Sequence, residues 1–392
     1  MKDQPIQVQI VDSAAAIGRN DWNRCANPVL DNNHHIGNEY NPFTSFDFIN
    51  ALEKTGCASP ETGWMAQHLV LVGDQNIPLA ILPCYLKNHS MGEYVFDHGW
   101  ADAFARAGGQ YYPKIQCSIP FTPVTSPRFL VSNLYESSDA IEILGQAAIE
   151  LTKRHQASSL HLTFLNSLQA KCLKPEVFLQ RTDQQFHWTN QDYVSFDDFL
   201  EKLTSRKRKI IRKERRAATA NNISIVTLNG TQIDKHHWDD FFEFYLDTGD
   251  RKWGTPYLNR EFFDLIGETM SDDILLVLAI RNGETIAAAL NFIGSNTVYG
   301  RYWGCREEVP FLHFELCYYQ AIDWAIAHQI DNVEAGAQGL HKLARGYLPV
   351  TTHSAHWIAH AGFRTAIANY LEEEGTQVKL DIEYLNAQNP YK

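Results

Sequence analysis

The chain has 392 residues, 44% of them hydrophobic and 12% aromatic. That is apolar material for sizeable cores and more length than one domain usually takes, so two domains are expected and long disorder is excluded. A net charge of −12 argues against broad coating of nucleic acid, although a local basic patch stays open. No apolar run is long enough to span a membrane, and MKDQPIQVQIVDS has no apolar stretch behind its charge to serve as a secretory signal. The seven cysteines are scattered and never form CxxC. Free thiols and a cytoplasmic location are therefore expected, rather than a disulfide framework.

Residues 68–86 predict strand, polar turn and strand, and 275–293 predict the same, with Asn282-Gly283 as hairpin turn. A further strand is expected after each, at 93–101 and 297–305, with Tyr94 matching Tyr299 and Gly99 matching Gly304. The stretch 110–129 is then an extra loop of the first half. Helical spacing recurs at 138–156 and in HFELCYYQAIDWAIAHQ, where Phe314, Cys317, Tyr318, Ala321, Ile322 and Ala325 share a face. The apolar run 159–165 and the short DNVEAGA read as the strands that follow. Between the halves, eight of the eleven residues 206–216 are Lys or Arg on a helical pattern, and the strand-like ISIVTL follows at 223–228.

An antiparallel meander, a helix and a strand, written twice, is the order of the acyltransferase fold called GNAT. The expectation is an α/β (α+β) chain of two tandem GNAT-like domains, each a mixed, largely antiparallel sheet flanked by helices. Residues 1–185 form the first, and 186–392 the second, which opens with the basic helix.

Several longer phrases are specific: NPFTSFDFINALEKTG (41–56), HSMGEYVFDHGWADAF (89–104), YYPKIQCSIPFTPVTSPRFL (111–130), RKWGTPYL (251–258), YGRYWGC (299–305), LHFELCYYQ (312–320) and GLHKLARGYLPVTTHSAHW (339–357). Through them nearly the whole chain resembles the FemAB-like predicted N-acyltransferases of peptidoglycan biosynthesis and recognition. The resemblance implies tandem GNAT-like domains and relation to the Fem aminoacyltransferases, which move an amino acid from aminoacyl-tRNA to a cell-wall precursor peptide. It gives fold and reaction class but no substrate. In that family an acid is common where this chain has Leu340, which moves weight for a base to Glu334 or His341.

The densest chemistry lies between Tyr299 and Trp357. Arg301 can hold a carboxylate or phosphate through two N–H groups, or stack on Trp303, and alternation puts both on one face with Tyr302 on the other. His313 and Glu315 open the following helix, where His313 is a candidate general base and Glu315 either a candidate substrate-binding group or a complement to the dipole. Glu334, at a strand end, is a candidate base for the attacking amine. Gln338, His341, Lys342, Arg345 and Tyr318 are candidate binding groups for an acyl carbonyl or phosphate. The candidate catalytic set is Glu334, His341 and His313. In the first half Lys87 and Asp97 belong to a second polar cluster, expected to serve the acceptor. Arg206, Lys207, Arg208, Lys209, Arg212 and Lys213 form either a solvated face or a phosphate-facing surface for tRNA.

The slot where an acetyl-CoA-dependent GNAT enzyme carries a glycine-rich pyrophosphate cradle holds CREEVPFLHFE, with no glycine and two acids. The leading expectation is therefore a Fem-like N-acyltransferase with a small-molecule or peptide amine acceptor. Its donor is open between aminoacyl-tRNA and acyl-CoA, with tRNA as a candidate partner and no tightly bound cofactor. An acetyl-CoA-dependent N-acetyltransferase and a non-catalytic peptidoglycan-recognition module are the alternatives. No metal is assigned, since His353 and His356 have no cysteine or carboxylate beside them at ligand spacing.

Overall fold

The computed structural model describes residues 6–28, 40–252, 256–336 and 339–392. The chain divides into two compact units, Met1–Asp183 with Thr351–Leu380, and Gln184–Val350 with Asp381–Lys392. The strands among the described residues are β1 (Gln7–Val11), β2 (Trp64–Ala66), β3 (His68–Val72), β4 (Pro78–Leu82), β5 (Tyr85–Lys87), β6 (Lys114–Cys117), β7 (Leu130–Val131), β8 (Ser159–Leu165), β9 (Leu179–Thr189), β10 (Ile223–Asn229), β11 (Ile274–Arg281), β12 (Glu284–Ile293), β13 (Thr297–Cys305), β14 (Asn332–Glu334) and β15 (Leu348–Ile358).

In the first unit the strands run β1-β3-β4-β7 and β15-β8-β6-β5-β2. The helix Ser137–Arg154 buries Ile141, Leu144, Ala148 and Ile149 against them, in a core that includes Leu71, Leu82, Ile115, Phe129 and Leu162. A division at 185/186 would give 351–380 to the second half. Those residues belong to the first unit because β15 pairs antiparallel with β8, His353 facing Leu165 and Trp357 facing Leu160.

The strand expected at 93–101 does not form, so the matching of Tyr94 with Tyr299 and Gly99 with Gly304 fails. That stretch leads into the helix His98–Arg106. Trp100 and Phe104, four apart, lie on its packed side, with Phe104 stacked on Phe363 at 4.3 Å between ring centroids. The stretch 110–129 is not merely a loop, because it supplies β6, antiparallel to β5 and parallel to β8.

The second unit has the order β10-β11-β12-β13-β14-β9. The β11–β12 hairpin turns at Asn282 (φ 53°) and Gly283 (φ 84°), both in the left-handed region that a two-residue turn of this kind requires. Register shifts at Leu290/Asn291, with Leu290 opposite Tyr302 but Asn291 opposite Gly300, so Arg301 is bulged out of the ladder. Strand β13 is parallel to β14 for three residue pairs, ending at Tyr299 opposite Glu334.

The helical stretch 312–327 connects β13 and β14. It contains a π-helical turn, Glu315–Tyr319, and buries Leu316, Tyr319, Ile322 and Ala325. The helix Ser205–Ala218 forms as expected and turns Ile211, Glu214 and Ala218 inward. No helix among the described residues is long and apolar enough to cross a membrane.

Candidate functional site

Where β13 and β14 stop pairing, a cavity of about 100 Å3 opens in the second unit. Arg301, Tyr302, Trp303, His313 and Tyr318 line it, joined by Asn291, Gly300, Cys317, Ala335 and Gly336. Strict alternation would send Tyr302 to the face opposite Arg301 and Trp303. The bulge breaks that alternation, and all three border the cavity.

Arg301 and Glu334 form a buried ion pair, Nη2 to Oε1 at 2.5 Å, with side chains 2% and 3% exposed. His187, next to Glu334 across β9, has its Nε2 3.9 Å from Oε2. Burial first, then the charges of Arg301 and Lys342, hold the His187 pKa below its usual value against the pull of Glu334. Lys342 donates from Nζ to the Gly336 carbonyl at 2.9 Å. Its pKa is lowered to about 8 by burial and then by Arg301, with Glu334 opposing.

On the helical side of the cavity, Trp303 meets His313 edge-on at 5.1 Å between centroids, and His313 meets Tyr318 at 5.3 Å. The Tyr318 hydroxyl is 2.8 Å from His341 Nε2. Burial, then the neighbouring Arg345 and Lys342 charges, press the His341 pKa down and favour the neutral ring. Burial pushes the Tyr318 phenol up, so it keeps its proton. A hydroxyl in the wall, bonded to a neutral imidazole, is equipped to relay a proton.

Glu315 and Arg345, expected to bind substrate, are engaged elsewhere. Glu315 takes both Nε and Nη2 of Arg215, the Nη2 to Oε1 distance being 2.8 Å. Arg215 also reaches Asp323 at 2.7 Å. Arg345 pairs with Glu214 at 2.8 Å, donates to the His341 carbonyl at 2.7 Å, and lies 3.5 Å over the Phe314 ring. Tyr319 completes this group by donating to Glu214. The basic helix thus turns one ionic edge inward, while Arg206, Lys209, Arg212 and Lys213 are exposed and Lys207 and Arg208 half-buried. Gln338 lies outside the described residues.

In the first unit Lys87 and Asp97 sit in a buried network. Lys114 Nζ reaches Asp97 Oδ2 at 2.5 Å, Glu93 Oε2 at 2.6 Å and Ser90 Oγ at 2.8 Å. Lys87 stands over the Trp64 ring at 3.4 Å and donates to the Met91 carbonyl. Burial, then the Lys114 charge, lowers the Lys87 pKa to about 6, and burial raises that of Glu93 to about 7. Tyr111 donates to Asp97, and His161 bridges to His356 at 2.7 Å. A site open to an acceptor was the expectation; the Lys87 and Asp97 side chains are 0% and 3% exposed.

Sequence reasoning passed over Asn291, Arg215 and Glu214. Asn291 had a visible cue, as the one polar residue in the apolar run IAAALNFI. Arg215 and Glu214 had none, because their partners lie a hundred residues or more away.

A polar cavity thus lies where two parallel strands part, beside an antiparallel meander and a crossover helix, in a mixed α/β fold. The chain belongs to the FemAB-like family, described by peptidoglycan biosynthesis and recognition, which matches residues 13–392. Its fold is similar to that of the crystal structure of FemX, at 13% identity and a TM-score of 0.52, over 92% of this chain and 100% of that one. It is also similar to a conserved protein of unknown function from Bacteroides thetaiotaomicron VPI-5482, at 12% identity and a TM-score of 0.53, over 90% of this chain and 100% of that one. No curated protein matches.

Proposed function

We propose that the chain transfers an acyl or aminoacyl group to an amine on a cell-wall peptide precursor, with the chemistry in the second unit's cavity. The observation that carries this is the Tyr318–His341 hydrogen bond in the wall of a cavity at the parting of β13 and β14. The acceptor amine's lone pair attacks the acyl carbonyl carbon and gives a tetrahedral oxyanion with an ammonium. Tyr318 Oη takes the ammonium proton as its own proton passes to His341 Nε2. Collapse re-forms the carbonyl, leaves an amide, and expels the donor's oxygen or sulfur, which recovers the proton from His341. Lys342, protonated below about pH 8, supplies a positive charge at the Gly336 backbone bordering the cavity. Arg301 is neutralised by Glu334 and holds the end of β14. Glu334 therefore acts here as a positioning residue, not as the base.

The test is transfer of labelled acyl groups from aminoacyl-tRNA and, separately, from acetyl-CoA to an amine-bearing precursor peptide. Turnover with either donor is expected to fall about 100- to 10,000-fold in Tyr318→Phe and in His341→Ala, in the range of a lost general base. Transfer from acetyl-CoA alone would favour the acetyltransferase alternative. No transfer with either donor, or variants at full turnover, would sink the catalytic reading and leave recognition alone.

A further inference from the structure

The Asn291 side chain is wholly buried, on β12 directly opposite Gly300 of β13, and borders the cavity. Its Nδ2 donates to the carbonyls of Leu275 at 3.3 Å and Ala289 at 3.5 Å. Those two acceptors fix the amide's orientation, because a flip would set oxygen against oxygen. The oxygen Oδ1 then has no partner among the described residues. Buried acceptors are rarely left so, since an unmade bond there costs more than most made ones return.

Gly300, directly opposite, has no Cβ to occupy the space beside this buried oxygen. A Cβ at that position would stand 3.3 Å from Asn291 Oδ1 and 3.7 Å from Ala335 Cα, within the space in front of the oxygen. A neutral carbonyl oxygen offers a hydrogen bond but no opposite charge, so it suits a neutral N–H better than an ion.

We propose that Asn291 is a specificity-determining residue of this cavity, its Oδ1 accepting a hydrogen bond from an N–H of the bound group. The cavity accordingly takes N–H-bearing acyl or amine groups and disfavours isosteres in which oxygen replaces that nitrogen. The proposal rests on the reading of this cavity as the substrate site. The N–H belongs either to the acyl donor or to the amine acceptor, and the chemistry at Oδ1 is the same for both. A site built to receive an N–H discriminates strongly against an analogue without one, because the acceptor is then left buried and bare.

The probes are N-methylacetamide and its isostere methyl acetate, titrated against the full chain by NMR with the ring signals of Trp303 and Tyr318 as reporters. The amide is expected to bind the native chain about tenfold more tightly than the ester, the worth of one well-made neutral hydrogen bond. Asn291→Leu should bring the two probes level. Gly300→Ala leaves Asn291 in place while obstructing its oxygen, and should weaken the amide alone; it serves if Asn291→Leu does not fold. Equal binding of the two probes to the native chain, discrimination that survives both substitutions, or no response at either reporter overturns the proposal.

Binding of these probes needs no turnover. Tyr318→Phe and His341→Ala should keep the amide preference even where transfer is lost, so failure of the proton-relay reading is distinguishable. In the transfer assay, Asn291→Leu should raise KM about tenfold for one substrate. A rise for the donor assigns the N–H to the acyl group, a rise for the acceptor assigns it to the amine, and no rise for either counts against the proposal.

Discussion

Removing one member of the Arg301–Glu334 pair leaves the other charged in a place where its side chain is only 2–3% exposed. Breaking a buried pair from one side typically costs about 3–5 kcal/mol, whereas replacing both members by apolar groups of similar volume is roughly neutral or stabilising. Arg301→Met and Glu334→Met should each fall in that destabilising range. The double substitution should recover most of the loss, for a coupling of about 3 kcal/mol or more. The second unit has about 180 residues. At about 2–4 °C per kcal/mol for a unit of that size, each single variant should melt roughly 10 °C lower if the unit unfolds cooperatively. The assay is calorimetry of the four proteins at pH 7, with transfer measured alongside. Additive losses would show that the pair is no unit. A Glu334→Gln variant of native stability with abolished transfer would make Glu334 the base and refute the positioning role argued here.

The first unit should show a pH signature. Lys87 has its pKa lowered to about 6, so above that pH the unfolded chain holds a proton the folded chain lacks. Stability from this group therefore rises with pH between its folded value and the ordinary lysine value, by up to about 1.4 kcal/mol per unit. Glu93, raised to about 7, acts oppositely and lowers stability as pH rises from the ordinary carboxylate value to 7. Lys87→Met should flatten the first unit's melting temperature between pH 7 and 9; an unchanged slope would exclude Lys87 as its source. On the basic helix, Arg215→Met should destabilise by about 3–5 kcal/mol because Glu315 is buried, while Arg206→Ala and Lys213→Ala should each stay within about 0.5 kcal/mol by denaturant titration. If the exposed cations meet tRNA, each removed contact should reduce the slope of log affinity against log salt by about 0.7–0.9, with no change if they do not. Arg128→Met should destabilise the first unit by more than about 3 kcal/mol, read by calorimetry, since Arg128 is buried on three acceptors, Thr163 O, Val124 O and Ser126 Oγ.

The second unit was legible because its strands carry local information. Asn282-Gly283 can close only a tight hairpin, and the run Ile286–Ile293 is apolar enough to be buried on both faces. The first unit misled at 93–101, where the parallel with 297–305 suggested a strand but Trp100 and Phe104 sit at helical spacing. Likewise 110–129 hid β6 among prolines and polar residues. The candidate site could be read from the sequence only as a region, the polar ends of β13 and β14, since a plain core cannot absorb that density of charge. Which groups face the cavity was not. That depends on a one-residue bulge at Arg301 and on ion pairs between residues distant in sequence, and no local pattern encodes either.

Those pairings decide what chemistry remains. Within the second unit, Glu334 is matched by Arg301, Glu315 by Arg215 and Glu214 by Arg345, each with at least one member buried. Glu334 and Glu315, which sequence alone offers as a base and a binding group, are thereby paired and fixed together with Glu214, at a desolvation cost that only good geometry offsets. The wall then presents few groups that can change state near neutral pH. They include the neutral His341 behind Tyr318 and Lys342 with its lowered pKa. Amide formation from an activated acyl group requires little more than this. The donor already carries the driving force, so the protein need only hold carbonyl and amine in line, remove one proton and steady one oxyanion. The ammonium of the tetrahedral adduct is far more acidic than water, so a neutral imidazole behind a tyrosine hydroxyl is base enough to take that proton.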